Sequence, residues 1–362
     1  MLKQQKIFFD FLRFCIGSAK EIPGSLKEVD WKEIYAIAKK QCLVGILFDG
    51  IKKLPAEHVG MKKKILLQWM AESQMLEKAN VRLNDAAIQV SKWFRKKGLK
   101  TCILKGQGNA LMYPNPYSRT PGDIDIWVEG GDRRVISFVR SISPHEKACY
   151  HHIEFPSYKG VEVEVHYRPS FLLCFWHNRK LQKYYERVQE EQFSHRVMLG
   201  EQGEVAIPTA EFNLIFQLTH IFTHLMNEGI GLRQLLDYYY VISMLSVNCE
   251  MLTSLQKELK ELGLWKFAGA IMYIMQEVFG MPASRLIVPP NETYGKFVLN
   301  EVLEAGNFGK HDERNRFGKS QFGHNLQRVY RDMRLVRYFP AEALCEPIFR
   351  VWHFFWRMKN KK

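Results

Sequence analysis

Two carboxylates stand one residue apart in Gly122-Asp123-Ile124-Asp125-Ile126-Trp127-Val128, a stretch that otherwise reads as a buried β-strand. Side chains alternate faces along a strand, so Asp123 and Asp125 point to one side and Ile124 and Ile126 to the other. Like charges on one face of an apolar strand repel and are costly to desolvate. A divalent cation neutralises such a pair best. Upstream, Cys102-Ile103-Leu104-Lys105-Gly106-Gln107-Gly108-Asn109 runs as an apolar strand that breaks at Lys-Gly into a helix start. A strand, a Lys-Gly turn, a helix and an acid-x-acid strand suit a site for metal and phosphate.

A third acid comes from Val161-Glu162-Val163-Glu164-Val165-His166-Tyr167, which alternates strictly. Glu162, Glu164 and His166 share one face, and the valines share the other. If this strand lies beside 123–128, a third carboxylate joins the pair. Three convergent acids suit two divalent cations bound to a nucleoside triphosphate. Without metal they would raise one another's pKa values. A solvent-facing polar stripe on a hairpin explains either motif alone. Their conjunction with Lys105-Gly106 and Arg119 favours the site.

The elements that must position these residues follow from periodicity. Residues 1–98 read as helical. Apolar positions three and four apart run through Trp31–Lys40 behind Asp30, and a long helix spans 62–97 and ends before Gly98. From Leu99 the pattern turns to short apolar runs: strands at 100–104 and 123–128, helices at 107–112 and 133–142, and a hairpin of 148–155 with 161–167 around Ser157-Tyr158-Lys159-Gly160. Beyond Pro208 helices return at 211–227, 232–245 and 252–279, with a linker over 281–293. The expected class is α+β: a small mixed sheet over 99–207, an N-terminal helical region (1–98) and a C-terminal helical domain with a basic tail (208–362).

The chain has 362 residues, enough for more than one core. No stretch reaches the roughly 20 apolar residues of a membrane span, and the Phe8–Phe14 run is broken by Asp10 and Arg13. Seven scattered cysteines without C-x-x-C pairing point to a reduced, cytoplasmic setting. Net charge is +14, and 309–362 carries 13 Lys/Arg against 5 Asp/Glu, interleaved with aromatics such as Phe317, Phe322, Tyr338, Trp352, Phe354 and Phe355. Attraction of a polyanion is one reading. A solvated basic helix with its aromatics packed inward is the preferred one.

Leu104-Lys105-Gly106, Tyr113-Pro114 with Arg119, Asp123-Ile124-Asp125-Ile126 and Val163-Glu164-Val165-His166-Tyr167 together resemble the polymerase-β-like nucleotidyltransferase superfamily, and within it a group of bacterial nucleotidyltransferase family proteins. The resemblance covers 99–170 and extends more weakly over 220–224 and 231–237. It implies transfer of a nucleoside monophosphate from an NTP such as ATP to an acceptor hydroxyl, with release of pyrophosphate and Mg²⁺ or Mn²⁺ as cofactor. Position by position, Asp123 and Asp125 match the metal-binding pair. Glu164 matches the third acid, preferred to Glu162 for its His-Tyr successor. Gly106 would admit the backbone to the phosphates, and Lys105 and Arg119 would bind them as charges. Arg233 and Asp237 would face the nucleotide or acceptor; their four-residue spacing also suits an ordinary helix pair. Two features depart from the superfamily. Gly106-Gln107 stands where Gly-Ser or Gly-Gly is usual, and the 113–121 loop lengthens the gap to Asp123.

The acceptor is open between a protein side chain, a tRNA end and a small molecule, the basic tail favouring an anionic one. The rival reading is a nucleotide-binding or nucleic-acid-binding regulatory protein without turnover. His220, His224 and Glu228 recur every four residues, but an apolar helix and no fourth ligand make zinc the weaker reading. His151 and His152 should fall on opposite faces of the hairpin strand. No G-x-x-x-x-G-K-[ST] or Gly-x-Ser-x-Gly occurs, which excludes a P-loop kinase and an α/β-hydrolase elbow.

Overall fold

The computed structural model describes residues 3–201, 203–245, 248–314 and 321–360. At the N-terminus, α1 (Lys3–Ile16) buries Phe8, Phe11 and Leu12. α2 (Trp31–Lys40) starts where the Asp30 carboxylate accepts the backbone N–H groups of Lys32 and Glu33, satisfying donors a helix start leaves open. α3 (Val44–Lys52), α4 (Ala56–Val59) and the long α5 (Lys63–Lys96) follow. α5 stops at Gly98, whose φ of 76° suits glycine.

The centre is a four-stranded mixed sheet. β1 (Thr101–Leu104), α6 (Gly106–Ala110), β2 (Ile124–Val128), α7 (Gly131–Ile142), β3 (His152–Tyr158) and β4 (Val161–His166) succeed one another, and the strand order is β1-β2-β4-β3. β1 and β3 run antiparallel to their neighbours, whereas β2 and β4 are parallel and in register, Asp125 opposite Glu164 and Ile126 opposite Val165. Lys159 and Gly160, at φ 51° and 79°, make the turn between β3 and β4. One sheet face presents Ile103, Ile124, Ile126, Val128, Val163 and Val165 to Ile88 and Phe94 of α5 and Val135 and Val139 of α7. The opposite face is divided. Cys102, Leu104 and Trp127 join the larger core, where Trp127 packs on Phe193 and Phe212. Asp125, Glu164 and His166 occupy the rest.

After the sheet come α8 (Phe175–Ser194) and a small hairpin of β5 (Arg196–Leu199) and β6 (Gly203–Ala206). α9 (Ala210–Asn227) is capped by Thr209, and α10 (Leu232–Met244) follows. The single helix expected over 252–279 is two, α11 (Cys249–Glu261) and α12 (Trp265–Glu277). The chain turns between them at Gly263, φ 70°. α13 (Glu292–Ala305) begins at the Asn291 cap, and α14 (Gln321–Leu335) and α15 (Pro340–Lys359) complete the fold. The architecture is α+β, a small mixed sheet framed by helices.

One core cluster runs from Phe8 and Trp69 through Leu104 and Trp127 to Phe216, Phe267, Phe339 and Phe349, so all three sequence regions contribute to it. The inward packing expected of the tail aromatics holds only in part. Phe339 and Phe349 are buried and Tyr338 stacks on Phe297, but Phe354 and Phe355 are 51% and 62% exposed. The reason is geometric: α15 turns Ala343, Glu346 and Phe349 inward, so Ile348, Val351 and Phe355 fall on its outer side. Phe317 and the side chain of Phe322 lie outside the described residues. All seven cysteines are free, and no helix among the described residues is long and apolar enough to cross a membrane.

Candidate active site

At the end of β1 the chain reverses through Lys105 (φ 50°, ψ −139°) and Gly106 (φ 40°). A lysine in that region costs roughly 1–3 kcal/mol of backbone strain. The turn brings its side chain back over β2, with Nζ 3.0 Å from Asp125 Oδ2 and 3.2 Å from His220 Nε2 on α9. Both oxygens of the buried Asp125 are therefore engaged, because His166 Nε2 lies 2.9 Å from Oδ1.

Glu164 sits opposite Asp125 on the neighbouring strand, and Asp123 lies one residue before β2, more open to solvent. Oxygens of Asp123, Asp125 and Glu164 all lie within 4.8 Å of one another. Glu164 Oε2 is 3.5 Å from His166 Nε2 and 3.3 Å from His152 Nδ1. His166 Nδ1 faces the Arg168 carbonyl at 3.3 Å. The imidazole thus has a partner for a proton on each nitrogen. Glu162 is exposed on the same strand and is not among these groups.

The charges are tightly interdependent. Burial alone would raise the Asp125 carboxyl, but Lys105 and His166 hold it well below the usual range. Burial alone would lower His166, yet its bonds to Asp125 and Glu164 lift it to about 9. Asp123 goes the other way: the neighbouring Asp125 charge, then burial, push it up to about 6. His152 is lowered to about 4 by burial and by His166.

Asp123 therefore binds its proton more tightly in the folded chain than at its ordinary 3.8, and stability falls as pH rises from 3.8 to about 6. Above that window the penalty is complete. Asp123→Asn is expected to stabilise the metal-free protein above pH 6 by roughly 1–2 kcal/mol, after allowance for solvent screening. It should change nothing below pH 3.8. Urea unfolding at the two pH values checks this. His166 adds stability that is complete below 6.5 and lost as pH passes about 9.

Behind the carboxylates, the buried Arg119 grips Asp237 of α10 with two bonds, Nε to Oδ1 and Nη2 to Oδ2, each 2.8 Å. The Tyr113 hydroxyl donates to Oδ1 at 2.6 Å. Asp237 thus pairs with Arg119, 118 residues away, and not with Arg233, the neighbour its four-residue spacing also offered. Arg233 Nη1 instead donates to the Thr120 carbonyl at 2.9 Å, with Phe308 5.8 Å from its guanidinium carbon. Lys105, Gly106, Arg119, Asp123, Asp125, Arg233 and Asp237 line one cleft, closed by His220 and Phe308, and Glu164 lies beside Asp125. Of the expected phosphate-binding cations, Lys105 is held by Asp125 and Arg119 by Asp237.

A family model described as uncharacterised nucleotidyltransferase matches residues 27–280. The chain belongs to that family. The match takes in every residue of this cleft named above except Phe308. Among solved structures, an antigenic nucleotidyltransferase-like protein from Paracoccidioides brasiliensis is similar at 14% identity over 61% of this chain and 97% of that one, with a TM-score of 0.34. No curated protein matches the chain.

Three histidines weighed in the sequence also reach the carboxylates or Lys105. His166 had a signal, since strand alternation put it on the face of the acids. His220 and His152 had only weak ones. His220 lies against Lys105 rather than in a zinc set with His224 and Glu228, which pair with each other at 3.5 Å. His151 and His152 do not oppose each other. His151 precedes β3, so its ring turns to the same side and its Nε2 lies 3.1 Å from His152 Nδ1.

Proposed function

We propose that this nucleotidyltransferase moves a nucleoside monophosphate from an NTP to an acceptor hydroxyl. The observation that carries the reading is the meeting of Asp123, Asp125 and Glu164 oxygens within 4.8 Å beside the Lys105-Gly106 turn. The donor set fits a hard cation, because all three ligands are carboxylates. Asp125 has Lys105 and His166 on its oxygens, and its charge drives Asp123 towards neutrality. Asp123, Asp125 and Glu164 would hold Mg²⁺ or Mn²⁺, which neutralises phosphate charge and lowers the pKa of an attacking hydroxyl.

The chain's own residues have separate tasks. Lys105, freed from Asp125, reaches the triphosphate. Arg119 is fixed by Asp237 and shapes the rear wall. Arg233, buried with its Nε unbonded, adds positive charge to the cleft wall. The acceptor oxygen bonds to the α-phosphorus as the bond to the β-bridging oxygen breaks. Pyrophosphate leaves with that electron pair, and the hydroxyl proton passes through a site carboxylate to water. The cleft encloses about 50 Å³, below the roughly 300 Å³ of an ordinary ligand pocket. Nucleotide entry would need this cleft to widen, and Phe308 of the Asn307–Gly309 turn is one of the residues that close it.

Thermal unfolding against ATP, GTP, CTP and UTP, with and without Mg²⁺, tests the proposal. Nucleotide at about a hundred times Kd adds about 2.7 kcal/mol. A Mg²⁺-dependent shift with at least one nucleotide is expected. No shift with any of them would sink the reading. Binding without pyrophosphate release across acceptor screens would favour a nucleotide-binding protein without turnover.

A further inference from the structure

We propose that the cavity between α9 and α15 is the acceptor pocket, and that the acceptor is a small hydroxyl compound bearing a phosphate or carboxylate. The inference rests on the nucleotidyl transfer proposed above.

Position is the first argument. His220 lines both this cavity and the nucleotide cleft. His151, on the cavity wall, has its ring centroid 5.3 Å from that of His166, which holds Asp125. Only His151 and His166 stand between the cavity and Asp125 on this path. An acceptor seated there can extend a hydroxyl past His220 to the α-phosphorus, where its oxygen bonds as pyrophosphate departs. The hydroxyl proton leaves through the carboxylates.

Size is the second. The cavity holds about 340 Å³, within the range of small-molecule sites and far below what a tRNA end with its flanking stem or a folded protein would occupy.

Charge is the third. Arg328 of α14 and Arg350 and Arg357 of α15 face the cavity, against Glu228 and Glu346. Both acids are already engaged, Glu228 with His224 at 3.5 Å and Glu346 with Arg350 at 3.2 Å and Arg328 at 3.9 Å. Arg357 forms no ion pair among the described residues, and the buried Nε2 of His353, one turn away, has no hydrogen-bond partner. An unpaired guanidinium beside an unsatisfied imidazole is a receptor for an anion. Part of the tail's basic charge thus turns inward, onto a cavity beside the site.

Calorimetric titration of glycerol 3-phosphate, glycerate and glycerol into the full chain tests this. At least one of the two anions should bind and glycerol should not. Arg357→Gln should weaken the anion by about tenfold or more, the loss of one charge-assisted contact, and Arg357→Lys should lose less. Arg357 does not line the nucleotide cleft, so its effect is separate from nucleotide binding. It also borders a neighbouring cavity with Arg140 and Lys147, so Lys147→Gln, which lines only that neighbour, should leave anion binding unchanged; an equal loss in Lys147→Gln overturns the pocket. Anion binding that ignores Arg357→Gln, or no anion binding at all, overturns the pocket. So does a salt-sensitive RNA complex in place of either. Mg²⁺–NTP binding is measured separately on the wild type. If it fails, the proposed transfer fails. If it succeeds while the anions do not bind, only the acceptor assignment falls.

Discussion

Asp125→Asn is expected to lower nucleotidyl transfer at least about a thousandfold and to erase the Mg²⁺-dependent nucleotide shift, on a chain that still folds. The cation that Asp125 would hold would supply several kcal/mol of transition-state stabilisation to the phosphates, and each 1.36 kcal/mol is about tenfold in rate. The amide keeps the carboxylate's shape and still accepts from Lys105 or His166, which stand 3.0 and 2.9 Å away. What it loses is the charge that holds His166 near 9. The variant should therefore lose His166's contribution to stability, present below 6.5 in the wild type. Pyrophosphate release and thermal unfolding, followed together, give both answers. Transfer at the wild-type rate would remove Asp125 from the mechanism.

The largest effect on stability is expected at Asp237. Asp237→Ala leaves the buried Arg119 guanidinium without its carboxylate, keeping only the Thr120 carbonyl 3.4 Å from Nη1, and strips the Tyr113 hydroxyl of its partner. Breaking a buried pair from one side costs about 3–5 kcal/mol, because the abandoned charge stays desolvated. Removing both charges is milder, so Arg119→Met with Asp237→Leu should regain most of the loss. Urea denaturation of the single and double variants measures the difference. A single variant that loses less than about 1 kcal/mol would mean that water reaches Arg119 and that the rear wall is open.

The sheet and the acids were legible because strand alternation is a strong constraint. Asp125, Glu164, Ile126 and Val165 each occupy the face that period two assigns them. The β2–β4 adjacency was only a condition in the sequence, and the parallel ladder meets it. Longer-range pairings left no local trace. Nothing near Asp237 announces Arg119 as its partner across 118 residues, and the four-residue spacing to Arg233 pointed to a nearer one. Lys105 looked like a phosphate ligand for its place beside Gly106. Its positive φ, which folds it back onto Asp125, is not encoded by residue type. α8 and the β5–β6 hairpin carry mixed polarity and few turn signals, so they emerge only from packing. Gly263 could have been read as the break between α11 and α12, but strong apolar periodicity on either side masked it.

The parallel pairing of β2 with β4 also governs which genetic changes this site can absorb. Asp125 and Glu164 are set opposite each other by a hydrogen-bonded ladder, not by the chain between them. Insertions or deletions in the 143–147 connection after α7, or at the Lys159-Gly160 turn, can accumulate in descendants without moving either carboxylate. One residue added inside β4 ahead of Glu164 would instead rotate it to the apolar face and bring a valine opposite Asp125. Length variation among relatives should therefore concentrate in the connections and be purged from two short strands.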